Sequence, residues 1–123
     1  MTDYQKKFCL TVDIVKCSTG PSAPTQFSGN VFGRYASVSW NEPVHKNGIV
    51  RKYIIEVYMT KTGEVARRLE INATKKREAM ITELTPFTNY TFTIRAFTIE
   101  AGEWANFTAR TKEEGNTWMY LVS

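Results

Sequence analysis

Apolar and polar residues alternate in short segments from residue 25 to residue 111. Successive side chains of a β-strand point to opposite faces, so this alternation predicts strands that each bury one face. No segment shows the sustained spacing of an amphipathic helix. The pattern predicts seven short strands, at residues 25–31, 35–40, 50–58, 64–71, 77–82, 90–97 and 107–111.

Turn-forming residues separate these segments and complete the fold prediction. Pro43 and the dipeptide Asn47-Gly48 interrupt a polar loop at residues 41–48, and further turns follow at 60–63 and 101–103. Short strands with regular turns are typical of an all-β fold, a seven-stranded antiparallel sandwich of two sheets.

The stretch Leu84-Thr85-Pro86-Phe87-Thr88-Asn89-Tyr90 places a large aromatic residue where a loop becomes a strand. A tyrosine there supplies apolar bulk to the core and a polar tip for backbone groups in the loop. Positions on the inward faces form the predicted core: Trp40, Tyr53, Ile55, Leu84, Pro86, Tyr90, Phe92, Ile94 and Ala96.

In their order and spacing, Trp40, the run from Val50 to Val57, and the Leu84–Tyr90 motif with the strand after it resemble a fibronectin type III domain. The resemblance covers residues 21–113 and implies a tyrosine corner, in which the Tyr90 hydroxyl bonds backbone of the preceding crossover. An immunoglobulin domain is the rival fold. It requires core cysteines and a tryptophan in the third strand, whereas Trp40 lies in the second.

The flanking segments are interpreted separately from the domain. Residues 1–20 are predicted to be the tail of a preceding module and a linker, with an extra edge strand of the same domain as the alternative. Residues 114–123 are a C-terminal tail, and Trp118–Val122 within it is either a cut linker or a docking strand. Cys9 and Cys17 lie outside the domain, and a disulfide between them, other partners or free thiols all stay open.

Net charge and targeting signals exclude few classes of partner or cellular location. The net charge of +4 permits attraction to acidic partners without indicating one. The chain shows no apolar signal-peptide core and no run long enough to insert in a membrane, so it is either intracellular or a piece of a longer exported protein.

The sequence contains no pattern that predicts catalysis or cofactor binding. His45 is the single histidine, and it lies in a polar loop without a nucleophile or an acid–base partner. No metal-ligand spacing and no phosphate-binding glycine loop occur, so we expect neither a cofactor nor an enzyme. Nucleic acid binding is not expected either, because no aromatic stacking platform accompanies the basic residues.

Three N-x-[ST] sequons begin at Asn72, Asn89 and Asn106. Asn89 and Asn106 each precede an inward aromatic residue, so alternation turns both asparagines outward. Exposed acceptors carry glycan in a secreted protein, and we expect at least one of these sites to be used. Chance occurrence is the alternative, because threonine is common on exposed strand faces.

Two kinds of binding surface are candidates. A basic patch of Arg67, Arg68, Lys75, Lys76 and Arg77 suggests heparan sulfate, although basic residues also protect exposed strands from pairing. Candidate contact loops at the end of the sandwich contain Pro43, His45, Asn47, Glu103 and Trp104. Trp104-Ala105-Asn106-Phe107-Thr108 resembles, in degenerate form, the W-S-x-W-S motif of cytokine receptors, with Arg95 as the cation–π partner.

These observations lead to one functional hypothesis and two alternatives. The lead-in from Gly20 to Pro24 resembles that of type III domains in receptor-type tyrosine phosphatases and adhesion receptors. That resemblance implies a non-enzymatic binding and spacer module on the extracellular side of the plasma membrane. Its partner would be a cell-surface or matrix protein or a neighbouring domain. An intracellular scaffold module in the cytoplasm and a cytokine-receptor-like module are the alternatives.

Overall fold

The computed structural model describes residues 20–113 and forms them into seven antiparallel strands in two sheets. This confirms the predicted all-β sandwich. Cys9, Cys17 and Trp118–Val122 lie outside the described residues. The strands are β1 Thr25–Val31, β2 Ala36–Asn41, β3 Lys52–Met59, β4 Val65–Asn72, β5 Glu78–Ile81, β6 Asn89–Phe97 and β7 Ala105–Arg110.

One sheet has the strand order β1-β2-β5, and the other has the order β4-β3-β6-β7. The observed strand bounds differ from the predicted ones by one or two residues at most ends. The largest differences are two residues, at the starts of β3 and β7, and Thr111 lies just beyond the end of β7. Alternation alone misses these ends, because it reports which face a side chain takes and not where ladder hydrogen bonds stop.

The core lies between the two sheets and contains most of the predicted positions. Eight of the nine predicted core residues are buried, and Pro86 is half-buried. Phe92 stacks on Phe107 with ring centroids 4.8 Å apart, and Trp40 meets Tyr53 edge-on at 5.3 Å. The first contact lies within the four-stranded sheet, and the second joins β2 to β3 across the two sheets. Both add specific geometry to apolar burial.

The loop between β5 and β6 crosses from one sheet to the other and is held by two side chains. The backbone N–H of Thr85 donates to the Tyr90 hydroxyl at 2.8 Å. The Thr111 hydroxyl donates to the carbonyl of Thr85 at 2.6 Å and accepts from the N–H of Thr88 at 2.9 Å. The crossover therefore has partners for backbone groups that the sheets do not pair, as the resemblance implies for Tyr90.

The chain enters and leaves the sandwich at opposite ends. At the entry end, formed by residues 20–24, 42–51 and 98–104, the N–H of Glu103 donates to the carbonyl of Pro21 at 3.0 Å. A Cβ on Gly20 would stand 2.1 Å from the carbonyl oxygen of Ala101, so only glycine fits there. At the exit end, formed by residues 32–35, 82–88 and 111–113, the N–H of Lys112 donates to the carbonyl of Phe32 at 3.0 Å.

The outer face of the four-stranded sheet holds a second buried region. Ile54 points away from the main core, yet it is only 2% exposed. In the register of the sheet it lies between Glu70 on β4 and Arg95 on β6. Aliphatic stems of long polar side chains cover apolar surface, and we attribute the burial of Ile54 to those of Glu70 and Arg95.

Candidate protein-interaction site

Two loops and the lead-in segment meet at the entry end of the sandwich. Ser22 joins the lead-in to the first loop, because its N–H donates to the carbonyl of His45 at 2.8 Å and its hydroxyl accepts from the N–H of His45 at 3.0 Å. The Asn47 side chain donates to the carbonyl of Gly20 at 2.8 Å. These bonds hold the loop in one arrangement, so its exposed side chains are presented from a fixed base.

Four of the five predicted contact residues fall into two groups, those that shape the loop and those that a partner could reach. Pro43 is buried and Asn47 is half-buried with a φ of 55°, so both shape the loop from within. His45 and Glu103 are exposed and accessible to a partner. The sequence did not separate them, because polar loop composition does not reveal which residues form the turn itself.

Trp104 packs on the outer face of the four-stranded sheet. Its ring centroid lies 4.4 Å from the Arg95 guanidinium carbon, in a cation–π contact. Arg95 also donates through Nε to the carbonyl of Gly102 at 2.9 Å, and it lies 5.7 Å from the Phe97 ring. Arg95 therefore joins the second loop of the entry end, residues 98–104, to β6. Trp104 is half-buried beside Arg95.

Two isoleucines are the most exposed large apolar residues at this end. Neither was among the predicted contact residues. Ile49 is 83% exposed and Ile99 is 88% exposed. They adjoin Gly48 and Thr98, where the two loops approach each other, since a Cβ on Gly48 would lie 3.4 Å from the Thr98 side chain. A shallow cleft beside Ile99 is lined by Arg51, Lys52, Phe97 and Thr98. We call Ile49 and Ile99 together the isoleucine pair.

An apolar residue in a loop is the sequence signal that could have identified Ile49 and Ile99 as contact residues. Turn residues pointed to other positions, and nothing in the sequence shows that loops 50 residues apart lie at one end of the sandwich. Only the pairing of β3 with β6 brings the two loops to one end of the sandwich.

The predicted basic patch does not form one surface. Arg67 is on the inner face of β4 and lies 3.7 Å from Glu83, whereas Arg68 is on the outer face and lies 3.2 Å from Glu56. Arg77 lies 3.7 Å from Glu42 at the entry end. Lys75 and Lys76 are exposed in the turn between β4 and β5. Because carboxylates face three of the five cations, the set is a poor site for a polyanion.

Electrostatic effects on the titratable groups are local. The Lys46 ammonium group lies 2.5 Å from a carboxylate oxygen of Glu42 and lowers the pKa of that carboxyl by hydrogen bonding and charge attraction. Burial raises the pKa of Tyr53, and a hydrogen bond to Glu56 raises the pKa of Tyr58. The described residues contain no cluster suited to a metal ion.

All three sequon asparagines are exposed. Asn72 ends β4, and its Oδ1 accepts hydrogen bonds from both the N–H and the hydroxyl of Thr74. Asn89 and Asn106 lie on the outer face of β6 and β7, and the threonines of their sequons, Thr91 and Thr108, stand opposite each other. The fold therefore leaves each acceptor side chain accessible.

Within residues 20–113 the structure contains no helix with the length and apolar character needed to cross a membrane.

Comparison with known sequences is consistent with this architecture. The sequence model of the family described as "Fibronectin type III domain" matches residues 22–110. Ephrin type-A receptor 7 of Gallus gallus is 39% identical over 100 residues, covering 78% of this chain and 10% of that receptor. Ephrin type-A receptor 4-B of Xenopus laevis is 32% identical over 90 residues, covering 72% of this chain and 9% of that receptor. The chain spans about a tenth of the length of these curated relatives.

Among solved structures, the FN1–FN3 domains of chicken CNTN1 superpose with a TM-score of 0.65 at 24% identity. The alignment covers 76% of this chain and 32% of that one. Domains d3–d4 of the rat CD45 extracellular region superpose with a TM-score of 0.66 at 18% identity, covering 75% of this chain and 50% of that one. At such identities the likeness shows the fold alone.

Proposed function

Because the chain belongs to the fibronectin type III family, we propose that it is a non-enzymatic protein-binding and spacer module in the extracellular region of a cell-surface receptor or adhesion protein. The similarity to two ephrin type-A receptors supports this assignment, because both relatives are receptors. A likeness to receptor-type phosphatases has less support, since the CD45 match shows the fold alone.

The isoleucine pair is the observation that carries the binding role. Burying two exposed isoleucines against a partner is favourable by about 1.5–3 kcal/mol each. Hydrogen bonds from the lead-in to the loop before Ile49 lower the entropy lost when a partner orders that surface. We propose that a partner protein contacts Ile49 and Ile99 together, with His45 and Glu103 at the rim.

The spacer role is supported by the positions of the two chain ends. Gly20 is packed at the entry end against Ala101, and Lys112 is hydrogen-bonded to Phe32 at the exit end. Neighbouring modules joined at these points would extend away from each other along the strand direction. A sandwich with a continuous core resists bending, so it keeps its neighbours at a defined distance.

An extracellular location and glycosylation form the second part of the proposal. Exposure of Asn72, Asn89 and Asn106 supports it, since each side chain is accessible for sugar transfer. The intact mass of the natural protein, measured before and after N-glycosidase treatment, tests this part. We expect glycan mass at one or more of these asparagines, and a bare chain would favour the intracellular scaffold instead.

The binding role is tested on the surface of cells that present the partner. Tetramers of the full chain are compared with tetramers that carry Ile49→Asp or Ile99→Asp, and each variant should lose more than about tenfold in binding. Met80→Asp is the matched control, because Met80 is also apolar and 52% exposed but lies on edge strand β5. Equal binding by all three variants would contradict the proposed site.

A cytokine-receptor-like module is the second candidate, favoured by the contact between Arg95 and Trp104. Arg95→Gln and Trp104→Ala separate the two proposals. Loss of ligand binding at unchanged thermal stability supports this candidate. A drop in stability alone shows that the contact only holds the second loop on the sheet.

A further inference from the structure

Phe87 combines two features that the turn before β6 does not require. Its backbone has a φ of 53°, in the left-handed region where glycine and asparagine are favoured. Its side chain is 57% exposed, so the strained position is not offset by full burial. Strain of this kind in an exposed turn is a reason to seek a role for the side chain beyond folding.

Phe87 lies beside the glycan acceptor Asn89. In the register of β6 and β7, Asn89 stands directly opposite Arg110, which places their Cβ atoms within about 5.5 Å. The guanidinium carbon of Arg110 lies 4.1 Å from the Phe87 ring centroid. Asn89, Arg110 and Phe87 therefore share one surface patch. Since more than half of Phe87 is exposed despite this contact, ring surface is left for a second ligand.

We propose that Phe87 is the platform on which the first sugar attached to Asn89 packs. The inference rests on the proposed extracellular function, because that sugar is added in the secretory pathway. In the transfer, the bond between C1 of N-acetylglucosamine and its lipid-linked diphosphate breaks, and a bond from C1 to Nδ2 of Asn89 forms. The amide loses one proton, and the lipid diphosphate is the leaving group.

Packing of the sugar on Phe87 follows from the surfaces involved. One face of a pyranose presents C–H groups, which make apolar contact with an aromatic face. The contact removes part of the exposed Phe87 ring from water in the folded chain. In the unfolded chain the turn that brings Phe87 beside Asn89 is absent. The sugar is therefore expected to stabilise the folded state.

The other two sequons differ in the residue two positions before the asparagine. Trp104 precedes Asn106 in the same pattern, but its ring is half-buried whereas Phe87 is 57% exposed, so the proposal is limited to Asn89. Glu70 precedes Asn72, and its carboxylate lies 3.5 Å from the Lys52 ammonium group. Asn72 therefore offers an accessible acceptor without an aromatic platform and serves as the internal control.

The test uses the full chain with Asn72→Gln and Asn106→Gln, which leaves Asn89 as the acceptor. The chain is secreted with high-mannose glycan and trimmed by endoglycosidase H to one N-acetylglucosamine, and its intact mass is measured. Its melting temperature is compared with that of the bare chain made in bacteria. The single sugar should raise the melting temperature by about 4 °C, and by less than about 1 °C in Phe87→Ala. A chain that keeps Asn72 alone should also rise by less than about 1 °C.

Phe87→Asn is a second variant in case Phe87→Ala does not fold, because asparagine tolerates a left-handed backbone. It should likewise abolish the rise. A sugar effect of equal size in the parent and in these variants overturns the platform while leaving glycosylation in place. A bare Asn89 in the secreted chain, seen by mass, overturns both the use of that sequon and the platform.

Discussion

The hydroxyl of Tyr90 and the backbone N–H of Thr85 are joined by a hydrogen bond of 2.8 Å. The bond connects Tyr90, near the start of β6, to the crossover that precedes this strand. The ring of Tyr90 is buried in the core. One side chain therefore fills the core and pairs a partly buried backbone group. We expect Tyr90→Phe to lower the free energy of unfolding by about 1–2 kcal/mol, because the N–H of Thr85 loses its partner and the ring remains.

Urea unfolding of the variant measures this loss. Tyr35→Phe is the control, because that ring stacks on Phe32 and is 41% exposed, so removing its hydroxyl should change the free energy by less than about 0.5 kcal/mol. Equal effects of the two substitutions would show that the Tyr90 hydroxyl has no special role.

Thr111 holds the same crossover from the other side, so its effect should depend on Tyr90. Thr111→Val keeps the shape of the side chain and removes a hydroxyl that bonds both Thr85 and Thr88. We expect a loss of about 1–3 kcal/mol in the free energy of unfolding. In a double-mutant cycle with Tyr90→Phe the two losses should not add, with a coupling of about 0.5 kcal/mol or more, and strict additivity would contradict a shared support.

Trp40 is the largest side chain that β2 contributes to the core, and it is buried against Tyr53. Truncation of a buried tryptophan to alanine costs about 3–5 kcal/mol. For a domain of this size we expect Trp40→Ala to lower the melting temperature by more than about 12 °C, measured by calorimetry. Trp104→Ala is the comparison, since that ring is half-buried on the outer face and should lower it less. A Trp40 variant that melts within a degree or two of the parent would rule out the assigned core role.

Glu42 makes stability depend on acid pH. Its folded-state pKa is lowered, first by the hydrogen bond and charge of Lys46, with a further contribution from Arg77. A lowered pKa means that the stabilisation is present above the unfolded value, about 4.3 for glutamate, and is lost as the pH falls through the folded value. We expect the free energy of unfolding to fall between about pH 5 and pH 3, and to fall less steeply in Glu42→Gln.

Chemical denaturation at each pH tests this dependence. Glu64→Gln is the control, because Glu64 is exposed and has no basic partner among the residues that the structure describes. The control should keep the slope of the parent. If Glu42→Gln also keeps that slope, the ion pair with Lys46 contributes nothing measurable to stability.

The succession of strands along the chain and the identity of the inward-facing residues were predictable from the sequence, because both depend on local rules. Alternation at Phe92, Ile94 and Ala96 identified buried positions without knowledge of any neighbour. Ile54 shows where the rule stops, since it is outward by alternation and still buried. Its burial depends on Glu70 and Arg95, which reach it only through strand pairing.

The candidate surfaces depended more on tertiary structure than the core did. Arg67 and Arg68 are adjacent in sequence, yet the pleat sends them to opposite faces and to different carboxylates. Pro43 is a loop residue by composition, but the tertiary structure buries it. The two members of the isoleucine pair lie at the same end of the sandwich only because β3 and β6 are neighbours in one sheet.

The sequence by itself determined the all-β class, the approximate strands, the core positions and the family resemblance, since each rests on the period of a strand and on local turn chemistry. The tertiary structure alone decided which distant residues share a surface. Examples are Thr111 with the crossover, and Phe87 with Arg110 beside Asn89. The physical reason is that strand pairing and sheet packing set these distances, and neither is encoded in any single segment of the chain.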